Sequence, residues 1–186
     1  MERKEFTATI CHFVVAYRGL EFLANSKGGT PLLTRITELP TDKRIAGVHC
    51  IPVLANGDMV MVWDQEEQTL TTIGGRLEGN ETIEEGLHRE AMEEAGIVLA
   101  GERYPFACWY WEETDTYTVF FLTRVGSFHR MPEGFEKTGY VIMSFRTAAQ
   151  MINAIEGPGL RMDLIAMAEQ LLEPFLARVQ EQGGII

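Results

Sequence analysis

The hydrophobic period of this chain changes at Gly74-Gly75, and that change restricts the fold more than any other feature. Thr69 to Ile73 reads as a strand running into the paired glycines, and beyond them apolar residues recur about every 3.6 positions. The helix that follows has legible ends. Thr82, with Glu85 three residues on, forms a capping box that satisfies otherwise orphaned N–H groups, and Gly96 supplies the left-handed residue that closes a helix. The spacing therefore predicts a helix over about Ile83 to Ala95.

Strand signals surround this helix. Val48 to Leu54 and Met59 to Trp63 flank Ala55-Asn56-Gly57-Asp58, and Asn-Gly favours a hairpin because both central residues must accept positive φ. Phe106 to Trp111 and Tyr117 to Val125 are two further strands joined by the polar turn Glu112 to Thr116, and Tyr140 to Phe145 is another. Helices are expected at Thr147 to Ile155 and at Arg161 to Arg178, the latter apolar at Leu164, Ile165, Ala168, Leu171, Leu172, Phe175 and Leu176 and kinked at Pro174. Near the start, Thr7 to Tyr17 alternates like a strand, Asn25 to Gly29 is a turn cluster, and Leu32-Leu33 is a short apolar run before Leu39-Pro40-Thr41-Asp42. Residues 1–44 are expected to form an N-terminal extension and 45–186 the main domain. The fold class is α/β, with a mixed sheet and few helices.

With 186 residues, 46% of them hydrophobic, the chain has the composition of one ordinary soluble domain. Sixteen bases against 27 acids leave a net charge of −11, which repels nucleic acid polymers and anionic membranes. The longest stretch without a charged residue, Ile45 to Gly57, is thirteen positions, short of the roughly 20 that span a bilayer. Cys11, Cys50 and Cys108 are an odd number with no paired spacing, so neither a disulfide framework nor a zinc knuckle is indicated. The segment from Phe6 to Tyr17 lacks the small-residue cleavage site of a signal peptide. A reducing, cytoplasmic compartment is expected.

The helix at Ile83 to Ala95 breaks local rules at its far end. Ile83, Leu87, Glu90 and Glu94 fall on one stripe, with Ala91 beside it, so a core-like face ends in carboxylates. Glutamates are almost never fully buried without a partner, and like charges one turn apart repel. Glu93 and Glu94 also meet the negative end of the helix dipole, which disfavours each by about 0.3–1 kcal/mol. From Gly74 to Ile97 there are seven acids (Glu78, Glu81, Glu84, Glu85, Glu90, Glu93, Glu94) against two bases (Arg76, Arg89), a net of −5. A divalent cation relieves all of this together, and oxygen ligands without His or Cys select Mg²⁺ or Mn²⁺ over Zn²⁺. Mg²⁺ keeps coordination positions for water and substrate phosphate, so phosphate chemistry is the expectation. The bland alternative is a solvated, Glu-rich surface.

The same segment reads Gly75, five residues, Glu81, seven residues, then Arg89-Glu90-Ala91-Met92-Glu93-Glu94-Ala95-Gly96-Ile97. Over these 23 residues it resembles the Nudix box at every defining position, with Ile73 where the family usually has a proline before the glycines. The resemblance implies the Nudix α/β/α sandwich, and hydrolysis of a nucleoside diphosphate linked to another moiety, with Mg²⁺ or Mn²⁺ held against the pyrophosphate. It implies Glu90 and Glu94 as metal ligands and Glu93 as a further ligand or a base. Arg89 resembles the family's orienting residue, holding Glu81 or Glu93. Gly74 and Gly75 would let backbone approach the phosphates or simply form a tight strand-to-helix turn, and Arg76 is a further phosphate contact or a solvated side chain. In such a site the metal neutralises phosphate charge and activates water.

Other residues are weaker candidates. Family members differ in where the general base lies, and Glu136, in the loop from Pro132, is the candidate acid on a later loop. Trp109 and Trp111 share one face of a strand and offer a stacking surface for a base or ribose, with core packing as the alternative. His12, His49, His88 and His129 show no metal-ligand spacing and are read as non-catalytic, and Cys108 as buried filler. Two other functions are weighed against hydrolysis. One is a catalytically weak nucleotide-binding sensor or interaction module on the same fold, which typically damages the Arg-Glu…Glu-Glu core that is intact here. The other is an isopentenyl diphosphate isomerase, which needs further Cys and Glu partners. Neither the proline of ADP-ribose hydrolases nor a clear tyrosine of dinucleoside polyphosphate hydrolases stands at Cys108 to Glu113, so the substrate stays open among small nucleotides. The N-terminal extension is read as a candidate arm for a homodimer, with a local hairpin on a monomer as the alternative.

Overall fold

A computed structural model describes residues 21–22 and 33–183. In chain order these form β1 (Glu21–Phe22), β2 (Leu33–Arg35), β3 (Arg44–Val53), β4 (Met59–Asp64), β5 (Thr69–Thr71) and β6 (Ile73–Arg76). There follow α1 (Ile83–Ala95), β7 (Ile97–Trp111), β8 (Thr116–Phe128), β9 (Lys137–Met143), α2 (Phe145–Glu156), α3 (Leu160–Glu169) and α4 (Leu172–Gly183). The strands form one sheet in the order β1-β2-β7-β8-β3-β4-β5, with β6 also on β3 and β9 also on β4. β3 and β8 run parallel and the other pairs antiparallel, so the sheet is mixed.

Helices cover both faces, the α/β/α sandwich expected of the sequence. On one face Leu87, Ala91 and Ala95 of α1 pack with Val48, Cys50, Ile73, Val119 and Phe121. On the other, Phe145, Ala148 and Ile152 of α2, Leu164, Ile165 and Ala168 of α3 and Phe175 of α4 pack with Ile51, Met61, Phe106, Phe120 and Leu122. Burial of this apolar surface, at about 25 cal/mol per Å², holds the layers together. No helix among the described residues is long and apolar enough to cross a membrane.

α1 spans the residues its caps predict. Thr82 and Glu85 form the reciprocal capping box, and Gly96 closes the helix at φ 63°. The Asn56-Gly57 turn also forms, with Gly57 at φ 87° and Leu54 N–H donating to Asp58 O at 2.8 Å. Its strands then part, because β3 and β4 pair only at Val53 and Met59 before β6 takes the edge of β3 and β9 that of β4.

Other boundaries depart from expectation. Thr69 to Ile73 is two strands, β5 on β4 and β6 on β3, separated at Thr72. The strand expected from Tyr140 to Phe145 stops at Met143, because Ser144 caps α2 by accepting the Thr147 N–H at 3.2 Å. The long C-terminal helix divides at Gln170 and Leu171 rather than bending at Pro174, which falls in the first turn of α4, where a missing N–H costs nothing.

The strand expected at Thr7 to Tyr17, the turn at Asn25 to Gly29 and most of the proposed dimer arm lie outside the described residues. Within residues 1–44, Leu33 and Ile36 are buried, and β2 pairs with β7 from Leu33–Trp109 to Arg35–Ala107. Cys50 and Cys108 are buried free thiols.

Candidate active site

The capped helix and the glycine strand bring most of the sequence-derived site together. β6 runs antiparallel to β3, with Gly74, Gly75 and Arg76 opposite His49, Val48 and Gly47, and α1 lies against it. Gly74, at φ 145°, has no room for a side chain, since a Cβ there would collide with the Val48 carbonyl. A Cβ at Gly75 would sit 2.5 Å from Glu90 Oε1, so the strand forms a cradle fitted to that carboxylate.

Arg89 organises the acids. Its Nε and Nη2 donate to Glu81 at 2.9 and 3.0 Å, its Nη1 donates to Glu90 at 2.9 Å and Glu93 at 3.1 Å, and Nη2 also reaches the Arg76 carbonyl at 3.0 Å. The sequence reading paired Arg89 with Glu81 or Glu93, and the guanidinium holds both, with Glu90 as well. Hydrogen bonding to Arg89 keeps the Glu81 carboxyl below the usual range.

Glu90 and Glu94 are buried, 8% and 4% exposed. Burial pushes the Glu90 carboxyl up against the pull of Arg89. Burial also raises Glu94 to about 7, although its Oε2 accepts the Gly74 N–H at 2.8 Å and Lys137 lies close by. Glu136 is exposed, 3.5 Å from Lys137 Nζ, and its charge adds to the negative field at Glu90. Among the described residues no three His, Cys, Asp or Glu side chains are gathered into a metal cluster, and the cations standing against these acids are Arg89 and Lys137. The donor set is carboxylate oxygen beside a glycine cradle, which suits a hard divalent ion.

Beside the acids, on the opposite face of the sheet from α1, lies a cavity of about 440 Å³ whose lining includes His49, Gly74, Trp109, Trp111, Phe120 and Lys137. Trp109 and Trp111 stack at 5.4 Å with a 10° interplanar angle. Trp109 packs on the face covered by α2, α3 and α4 with a buried Nε1 that has no partner, while Trp111 is 44% exposed and donates its Nε1–H to Thr118 Oγ1 at 2.9 Å. Arg76 is exposed and lines a separate hollow with Arg44 and Trp111.

Three further residues border the site, Lys137 and Asp64, which the sequence does not point to, and His49, which it reads as non-catalytic. His49 meets Thr72 Oγ1 through Nδ1 at 3.1 Å and Phe120 at 5.3 Å, and burial, helped by Lys137, lowers it to about 4, so it is neutral at pH 7. Lys137 joins Asp64 and Glu94 at 2.6 and 3.4 Å. Burial opposes that ammonium, but its carboxylate neighbours outweigh burial and hold it above the ordinary lysine value. Asp64 and Lys137 are 73 positions apart and meet only through the β4–β9 pairing. The one signal in the sequence is that Lys137 is the sole lysine after Lys43.

The sequence model of the NUDIX domain matches residues 43–158, more than half of the chain and all of the acidic site. The chain belongs to the NUDIX family. Among solved structures, a NUDIX-family hydrolase of Clostridium perfringens is 18% identical with a TM-score of 0.54, covering 70% of this chain and 97% of its own. A NUDIX hydrolase of Nitrosomonas europaea is 20% identical, with a TM-score of 0.50 over 69% and 90%. A Bacillus subtilis pyrophosphohydrolase is 16% identical, with a TM-score of 0.52 over 61% and 72%. At these identities the likeness is one of fold. No curated protein matches the chain. The NUDIX match ends at residue 158, before α3 and α4, which here join α2 on the face opposite α1.

Proposed function

We propose that this NUDIX protein hydrolyses the pyrophosphate bond of a small nucleotide, a nucleoside diphosphate linked to another moiety. The observation that carries the reading is the pair Glu90 and Glu94, buried at the acidic end of α1 and facing the glycine strand that borders the aromatic cavity. Two carboxylates in that position are disfavoured by the helix dipole and by burial, and Arg89 and Lys137, which also serve Glu81, Glu93 and Asp64, leave the acids in excess. Glu90 and Glu94 would hold Mg²⁺ or Mn²⁺, with Glu93 as a further ligand or a base. When bound, the ion supplies positive charge against phosphate oxygens and acidifies water.

The chain's own residues do the rest. Arg89, anchored on Glu81, orients Glu90 and Glu93. Gly74 and Gly75 seat the two carboxylates close against the strand at the edge where the diphosphate would lie, and Arg76 stands at the end of the same strand. Trp109 and Trp111 offer their ring faces to a base or ribose, and the buried Nε1–H of Trp109 is a spare donor for it. Water adds its oxygen to one phosphorus, the bridging P–O bond breaks with its electron pair on the other phosphate, and Glu93 or Glu136 takes the released proton. The intact Arg89-Glu90 and Glu93-Glu94 core favours this over a sensor that has lost catalysis. The enzyme is proposed to work in the cytoplasm, as a homodimer joined through the N-terminal extension.

A panel of nucleoside triphosphates, oxidised nucleotides, sugar nucleotides and ADP-ribose with Mg²⁺ tests the reading. We expect a nucleoside monophosphate or phosphate product from at least one, and a loss of at least about 100-fold in Glu94→Gln, beyond the ~10–100-fold cost of disturbing a group that only orients a ligand. Turnover equal in both proteins, or absent in both, overturns the reading. Sedimentation with and without residues 1–44 tests the dimer.

A further inference from the structure

Lys137 holds a buried ammonium against an acid assigned above to a metal ion. Its side chain is 9% exposed, with Nζ 2.6 Å from Asp64 Oδ2, 3.4 Å from Glu94 Oε1 and 3.5 Å from the exposed Glu136 Oε1. The tether behind it is rigid. Asp64 lies opposite Lys137 in the β4–β9 register, and its Oδ1 accepts the N–H groups of Glu66 and Glu67 at 2.8 and 2.9 Å. Ahead of Lys137, the Gly74 N–H fixes the other oxygen of Glu94 at 2.8 Å. Lys137, Asp64 and Gly74 all line the aromatic cavity.

One carboxylate is enough to compensate a buried ammonium, and Asp64 already does so. Contact with Glu94 adds something else, a fixed positive charge at the mouth between the acids and the cavity. An ammonium carries three donors and has no directional fork, so it can keep Asp64 while exchanging a second partner.

We propose that Lys137 is a positioning residue with two successive partners: it is the countercation of Glu94 before the divalent ion arrives, and it takes a non-bridging phosphate oxygen of the substrate once the ion holds Glu94. This rests on the pyrophosphohydrolase reading. It predicts opposite effects on two ligands. Losing the charge removes a competitor for Glu94 and a contact for phosphate, so metal binding tightens while phosphate binding weakens. A merely structural lysine would weaken both when removed.

The test uses the full chain. Mn²⁺ binding to nucleotide-free protein is followed by electron paramagnetic resonance, and binding of imidodiphosphate, a non-hydrolysable pyrophosphate analogue, by calorimetry in Mg²⁺. In Lys137→Met we expect Mn²⁺ to bind about 10-fold tighter and imidodiphosphate about 10-fold weaker, the size of one charge contact. Lys137→Arg should restore both toward wild type. Asp64→Asn, which keeps the ammonium but cuts its tether, should weaken Mn²⁺ binding as Lys137 settles on Glu94, and it serves if Lys137→Met fails to fold. Mn²⁺ affinity unchanged or reduced in folded Lys137→Met overturns the inference, as does tighter Mn²⁺ binding in Asp64→Asn. Wild-type protein that neither binds Mn²⁺ nor cleaves any substrate overturns the pyrophosphohydrolase reading instead.

Discussion

At the start of α1, Glu84 and Glu85 stand in solvent near the positive end of the helix dipole, and Glu85 closes the cap on Thr82. At its end, Glu90 and Glu94 are buried near the negative end, with no basic residue in the last turn. The residue type and the helix are the same, but the forces are not. The first pair obeys local helix physics, Glu85 through the cap and Glu84 through His88 one turn on, with Arg103 the one outside partner. The second is imposed from outside, by β6 packed on the helix and by Arg89 and Lys137. On the proposed function, acids placed where the helix disfavours them mark the working end.

The sharpest way to break this contrast is to titrate it. A carboxyl whose folded-state pKa lies above its unfolded value binds more protons when folded, so its contribution to stability is highest below the unfolded value and declines as pH rises to the folded one. For Glu94, raised from 4.5 to about 7, the decline runs from about pH 4.5 to about pH 7 and totals about 3 kcal/mol. His49, lowered to about 4 by burial, gives an opposite rise over much of the same window, so the decline is read in urea denaturation of metal-free protein in chelator as the difference between wild type and Glu94→Gln. A difference between wild type and Glu94→Gln that stays flat across that window would mean that Glu94 carries no burial penalty.

Next comes the cradle. Gly75→Ala places a Cβ 2.5 Å from Glu90 Oε1, and displacing that carboxylate should cost about 10–100-fold in Mn²⁺ affinity, as disturbing the orientation of a ligand does. Circular dichroism should show the fold intact. Unchanged Mn²⁺ affinity would separate Glu90 from the metal.

The other end of the helix should respond through stability alone. Thr82→Ala removes the N-cap and should cost about 1 kcal/mol in denaturation, with turnover per folded molecule unchanged. Smallest of all, Glu84→Gln touches an exposed acid paired with His88 and Arg103 and should stay within about 0.5 kcal/mol. Were Glu84→Gln to impair hydrolysis as Glu94→Gln is expected to, the two ends of α1 would not differ as described.

What the sequence determined by itself is local. The bounds of α1 follow from Thr82, Glu85 and Gly96, because caps and the 3.6-residue period act within a few positions. The acidic stripe, Arg89 among its acids and the shared face of Trp109 and Trp111 follow for the same reason. The tertiary structure decided where the chain pairs across distance. It split the run at Thr72 between β5 and β6, parted β3 from β4 after one pair, and extended β7 back to Ile97 alongside β8. It also set Lys137 between Asp64 and Glu94 and turned His49 toward the tryptophan cavity. Register between strands some 70 residues apart is fixed by the packing of both sheet faces together, and no short window of sequence carries that information.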